Sequence, residues 1–193
     1  MDLGLKGKVA FVAGASQGLG KAVAMELCRE GAKVAICGLD DPELPKAVEE
    51  IAAATGGEVI GIIPRFMTEV EWQHPGVANL EVVEDMRERK HKLLTGSDAV
   101  IALPGGSGTL EELFEAITLK RLGIYFNPIV LLNIRDFYTP LQTFMRQTIE
   151  QRFMNAEHLD MWSLVDTVAE ALPRIRATPR WREDARAHAA VKA

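Results

Sequence analysis

The sequence predicts a single doubly wound three-layer α/β sandwich with a mostly parallel sheet. Three observations carry that expectation: short, near-continuous apolar runs, helical patterns alternating with them, and glycine-rich turns where two of those runs end. Strands that are apolar on both faces belong in a sheet covered on both sides, and a repeated βα order makes such a sheet parallel.

Taken along the chain, Val9–Ala13, Lys33–Cys37, Val59–Ile63, Ala99–Leu103 and Pro128–Leu132 read as the strands. Between them, Leu19–Arg29 opens after a glycine turn and stops at Gly31, where a left-handed cap suits glycine. Pro42–Ala54 begins in DDPEL, with acids where the helix dipole favours them. Thr109–Leu122 places Leu110, Leu113, Phe114 and Ile117 on one face, the spacing of a buried stripe. Pro140–Arg152 and Trp162–Ile175 read as two further helices, and the charged, alanine-rich run from Thr178 onward as a peripheral helix or a frayed end.

Composition narrows the class. The 193 residues suffice for one well-buried domain and are few for two. With 48% hydrophobic and 25% charged residues the chain is an ordinary globular one, and a formal charge of −5 gives no reason to expect nucleic acid or membrane as partner. Cys28 and Cys37 follow no secretory pattern, so reduced core thiols in a cytoplasmic protein are expected. The four histidines lack metal-ligand spacing, and no metal is expected.

The first glycine run lies in KGKVAFVAGASQGLGKAVAMELCREGAKVAICGLD, Lys6–Asp40. Its glycines allow a tight strand-to-helix turn that brings backbone close to a phosphate, and the helix N-terminus offers unpaired N–H groups. The stretch resembles the first βαβ unit of the short-chain dehydrogenase/reductase family over about residues 6–58. That resemblance implies NAD(P) at Gly14, Ser16, Gly18, Leu19 and Gly20, with Asp40 near the adenosine. The family's Tyr-x-x-x-Lys pair is absent, because Tyr125 is followed four positions on by Ile129 and Tyr138 by Gln142. Two readings of the turn stand side by side: a sharp structural corner, or a nicotinamide-cofactor site.

The second run, Pro104-Gly105-Gly106-Ser107-Gly108-Thr109-Leu110-Glu111-Glu112, follows the fourth apolar run and opens a helix. Close glycines suit an anion, Thr109 is placed to cap, and first-turn N–H groups face the ligand. A carboxylate beside a phosphate cradle makes sense where positive charge develops during reaction, as on a ribose whose N-glycosidic bond breaks. Upstream stands Asp85-Met86-x-x-Arg89-Lys90; taken by itself, RERKHK is also what a solvated basic helix face looks like.

Residues 56–153 resemble the lonely-guy family, cytokinin-activating nucleoside 5′-monophosphate phosphoribohydrolases formerly described as lysine decarboxylases. The family's Pro-Gly-Gly-x-Gly-Thr-x-x-Glu is met by Pro104, Gly105, Gly106, Gly108, Thr109 and Glu112, and its Asp-Met-x-x-Arg-Lys by Asp85, Met86, Arg89 and Lys90. The resemblance implies a Rossmann-like domain, Glu112 and Arg89 as catalytic groups, and Lys90 with Gly105, Gly106, Ser107, Gly108 and Thr109 around the 5′-phosphate. It further implies Met86 and Glu71 at the nucleotide, no metal or redox cofactor, and a homodimer. Phe114, Phe137, Phe144 and Phe153 suit either core or an interface.

One loop departs from that family: its glycine-rich second loop is replaced by CGLDDPELPK at Cys37–Lys46, whose Asp40 and Asp41 would repel a phosphate. The chain therefore reads as a composite domain over residues 1–177, dehydrogenase-like over 1–58 and lonely-guy-like over 59–177, with a tail at 178–193. The leading expectation is hydrolysis of an AMP-like nucleotide to free base and ribose 5-phosphate. The alternatives are an NAD(P)-binding protein and a non-catalytic or engineered chimeric scaffold.

Overall fold

Seven short strands alternate with helices in the computed structural model, which describes residues 4–13, 15, 18–37, 43–55, 59–68 and 79–190. The chain forms two compact units, residues 1–98 and 99–193.

The first unit holds β1 (Val9–Ala13), α1 (Gly18–Arg29), β2 (Lys33–Cys37), α2 (Glu43–Thr55), β3 (Val59–Pro64), the single turn α3 (Arg65–Thr68), β4 (Asn79–Val83) and α4 (Met86–Thr95). Its strands lie in the order β4-β3-β2-β1, all parallel. Val12, Val34 and Ile36 are buried on the strands; Val23, Ala24, Leu27, Val48 and Ile51 are buried on α1 and α2, which pack on each other. Lys21 and Glu50 pair across the two helices.

α1 ends as its sequence predicts. Gly31 takes φ +83°, its N–H donates to the Cys28 carbonyl, and the Ala32 N–H donates to the Leu27 carbonyl. Those two bonds form a Schellman cap, which needs a left-handed residue and so favours glycine. Cys28 is a free, buried thiol whose pKa burial pushes up.

β4 was not expected from the sequence. NLEVV has no continuous apolar run because β4 is the outermost of the four strands, and Glu81 and Val82 are exposed.

The second unit holds β5 (Ala99–Ala102), α5 (Ser107–Arg121), β6 (Ile129–Leu132), α6 (Thr139–Glu150), β7 (Ser163–Val165), α7 (Val168–Ala177) and the one-turn α8 (Ala185–His188), with 3-10 turns at Ile134–Asp136 and Ala156–Met161. β5, β6 and β7 are parallel, and every residue of β5 and β6 is buried. The predicted helix Trp162–Ile175 is in fact two elements. β7 comes first, then Thr167 and Glu170 form a reciprocal capping box that starts α7.

α5 buries Leu113, Ala116, Ile117 and Lys120, so the buried stripe is turned from the predicted one and leaves Phe114 exposed. Lys120 donates to the Asn127 carbonyl at 2.8 Å and lies 5.8 Å from the centroid of the Trp181 ring. Loss of solvent pulls its pKa down to about 8. The C-terminal run docks rather than frays: the Trp181 N–H donates to the Phe126 carbonyl at 2.8 Å and Arg121 Nε to the Ala189 carbonyl at 2.7 Å.

Candidate functional site

α4 carries the upstream motif. Asp85 is its N-cap and accepts from the Glu88 N–H at 2.8 Å, while the Glu88 carboxylate accepts from the Glu84 N–H at 2.8 Å. The aspartate of the motif is thus a cap that fixes where the helix begins. With the start fixed, Arg89 falls one turn before Leu93 and shares its buried face.

Arg89 is only 8% exposed. Its Nη1 reaches the Met86 sulfur at 3.8 Å, and its buried Nε has no hydrogen-bond partner among the described residues. The rest of the basic run behaves as a surface: Arg87 and His91 are exposed, and Lys92 pairs with Glu81 and Glu88. The solvated-face reading therefore holds for those neighbours and fails for Arg89. Lys90 is half-buried on the same helix.

The glycine loop lies at the exit of β5. α5 starts at Ser107, two residues earlier than predicted, with Gly106 as N-cap and no side-chain cap. Thr109 is accordingly the third helical residue, not the cap, and Glu111 and Glu112 stand in the second turn rather than the first. The first main-chain bond at this end runs from the Leu110 N–H to the Gly106 carbonyl at 3.1 Å, leaving the Ser107, Gly108 and Thr109 N–H groups without carbonyls one turn back. Such a terminus is a ready anion site. Glu112 lies one turn beyond Gly108 and Thr109 and is half-buried, whereas Glu111 is exposed.

Thr109 has a different task. A Cβ on Gly105 would stand 2.3 Å from Thr109 Oγ1 and 2.8 Å from Thr109 Cβ, so the threonine side chain folds back over the glycine. Gly106, at φ −85°, has nothing within 4 Å of such a Cβ. Gly105→Ala is therefore expected to lower stability by about 1–3 kcal/mol through overpacking, and Gly106→Ala by about 1 kcal/mol or less, the cost of a poorer N-cap with no clash. Thermal melts of the two variants check the contrast.

Two buried residues of the second unit were missed by sequence reasoning. Tyr138, 1% exposed, donates from its hydroxyl to the Leu103 carbonyl at 2.5 Å, immediately before the glycine loop. Burial raises its pKa above the usual phenol range. Asn133, 6% exposed, accepts from the Tyr138 N–H at 2.7 Å. An asparagine closing an apolar run was the only hint, and it is a weak one.

Of the first glycine turn, Gly18 takes φ +56° and is exposed at the start of α1, and Gly20 is buried. Gly14, Ser16, Asp40 and Glu71 lie outside the described residues. Among the described residues no group of His, Cys, Asp and Glu is arranged to hold a metal ion, and no helix is long and apolar enough to cross a membrane.

The structure of the molybdenum cofactor binding protein from Rippkaea orientalis matches with a TM-score of 0.62 at 17% identity, covering 89% of this chain and 96% of that one. That likeness is one of fold, and the fold is the Rossmann-like, mostly parallel three-layer α/β class expected.

In sequence, the cytokinin riboside 5′-monophosphate phosphoribohydrolase of Rhodococcoides fascians is 37% identical over 143 residues, 72% of this chain and 68% of the relative. The Arabidopsis thaliana protein of the same name, LOG1, is 42% identical over 106 residues, 54% of this chain and 50% of its own length. A probable one from Oryza sativa subsp. japonica, LOGL3, is 45% identical over 100 residues, 52% of this chain and 47% of its own. The chain thus spans about half the length of these plant relatives.

The short chain dehydrogenase family model matches residues 8–74, in line with the resemblance of the first glycine turn. The model of the family described as "possible lysine decarboxylase" matches residues 46–175, well over half of the chain and both motifs described above, and the chain belongs to that family.

Proposed function

We propose that this chain hydrolyses the N-glycosidic bond of a purine nucleoside 5′-monophosphate, of adenine or cytokinin type, to free base and ribose 5-phosphate. The N–H groups at the start of α5, in the run Gly105, Gly106, Ser107, Gly108 and Thr109, bind the 5′-phosphate together with Lys90. Arg89 donates hydrogen bonds to the base as the C1′–N bond breaks and its electron pair leaves with the base. Glu112 stabilises the ribosyl cation and takes a proton from the water whose oxygen attacks C1′; the base gains a proton. Met86 and Glu71 line the nucleotide. This route requires neither a metal nor a redox cofactor.

The observation that carries the reading is Arg89. A guanidinium taken out of water costs free energy unless it is paired, and this one has an open Nε among the described residues. A ligand presenting hydrogen-bond acceptors completes it. The names of the relatives supply the ligand class. The test is incubation with AMP and with isopentenyladenine riboside monophosphate, followed by chromatography of free base; release is expected with both, and none with either overturns the proposal.

A nicotinamide cofactor at the Gly14–Gly20 turn is the second reading, favoured by the dehydrogenase-family match over residues 8–74. It lacks an acid for hydride chemistry, since Tyr138 is buried with its hydroxyl on Leu103 and has Gln142 four positions on. NADH binding without base release selects it. The exposed Phe137, Phe144 and Phe153, at 46%, 56% and 67%, support a homodimer that covers them. A cytoplasmic location belongs to the same proposal.

A further inference from the structure

Leu103 ends the apolar run before the glycine loop. The paired register of β5 with β6 runs from Val100↔Ile129 to Ala102↔Leu131, so the Leu103 carbonyl lies beyond those pairs. Leu103 is 2% exposed and is followed by Pro104, which has no N–H to offer. A carbonyl in such a place needs a donor, and the Tyr138 hydroxyl supplies it at 2.5 Å.

The tyrosine is held from behind. Its N–H is bound by Asn133 Oδ1, the Asn133 N–H donates to the Val165 carbonyl at 2.7 Å, and Asn133 Nδ2 lies 3.3 Å from both Asp166 Oδ1 and Thr139 Oγ1. Between Asn133 and Tyr138 the chain passes through two consecutive left-handed residues that are not glycine, Arg135 at φ 53° and Asp136 at φ 59°. Such residues are strained, and conformations of this kind persist where the surroundings over-determine them. At the other end of the loop Thr109 closes over Gly105. The loop is thus clamped at its root by Tyr138 and at its return by Thr109.

We infer that Tyr138 is a positioning residue for 5′-phosphate recognition: its hydroxyl, through the Leu103 carbonyl, sets where the N–H groups at the start of α5 point. This rests on the reading of the glycine loop as the phosphate site. Tyr138 acts on affinity for the phosphate-bearing part of the ligand and takes no part in proton transfer.

Calorimetric titration of ribose 5-phosphate and of adenine into the native chain and Tyr138→Phe, with AMP kinetics on both, tests this. The variant is expected to bind ribose 5-phosphate about tenfold more weakly, the scale of one lost buried hydrogen bond, and adenine equally well. For AMP, KM rises about tenfold while kcat and its pH profile move little. Should Tyr138→Phe not fold, Asn133→Ala, which keeps the ring and frees its backbone, is expected to give the same selective loss.

Equal ribose 5-phosphate affinity in variant and native chain overturns the inference alone, as does a parallel loss of adenine and ribose 5-phosphate binding. No ribose 5-phosphate binding by the native chain overturns the phosphate-site reading and this inference with it.

Discussion

Glu112→Ala is expected to keep AMP bound while slowing base release by about 10³-fold or more, the scale of a lost charge-stabilising and proton-accepting group. In the proposed site, a carboxylate one turn inside the helix whose N-terminus would take the phosphate is unfavourable while the nucleotide is intact, because both groups are negative. It becomes favourable only as C1′ turns cationic. An interaction that strengthens between ground and transition state raises kcat rather than affinity. AMP should therefore bind the variant as tightly as the native chain or tighter, with the loss confined to kcat. Glu112→Gln, which keeps the shape and removes the charge, should lose as much. Glu111→Ala is the internal control, since Glu111 is exposed and should stay within about twofold of native activity. Titration of AMP beside single-turnover base release separates the outcomes, and release that survives Glu112→Ala removes the mechanism.

The elements that the sequence made legible are those with two independent local signals. α1 had a glycine turn before it and Gly31 after it, and its end falls where expected. β5 and β6 had apolar runs buried on both faces. β4 had neither signal, because an outermost strand needs no apolar run. β7 is three residues long and stands beside Trp162, whose ring N–H reaches Gln142 at 2.9 Å; Trp162, Val165 and Val168 spaced by threes imitate a helix. The Thr167-x-x-Glu170 box was the signal that would have moved the start of α7.

At the site, motif residues were readable and their tasks less so. Thr109 looked like a cap because threonine often is one, yet Gly106 caps α5 and Thr109 packs on Gly105. Tyr138 carries no local pattern at all: its partner, Leu103, is 35 positions away, and only tertiary structure brings a phenol to that carbonyl.

In the proposed hydrolysis, Arg89 joins stability to function most sharply. Arg89→Met should make the chain more stable by about 1–2 kcal/mol while reducing base release by about 10²–10³-fold. Methionine fills the same elongated space beside Met86 and Leu93 without desolvating a charge. A buried arginine kept for structure behaves in the opposite way, since removing it orphans its partners and lowers stability. Here Nε has no acceptor among the described residues and Nη1 reaches a thioether, a weak acceptor, so little is orphaned.

The two accounts also differ in how the ligand acts. If Arg89 is completed by the nucleotide, saturating AMP raises the melting temperature of Glu112→Ala, in which catalysis is off, and raises it less in Glu112→Ala/Arg89→Met, because a ligand stabilises only in proportion to its affinity for the folded state. Arg87→Met, two positions earlier and exposed, should alter neither the melt nor the rate. A melting temperature that falls on Arg89→Met, with the AMP shift unchanged, would make Arg89 a structural residue and leave the base without its partner in the proposed hydrolysis.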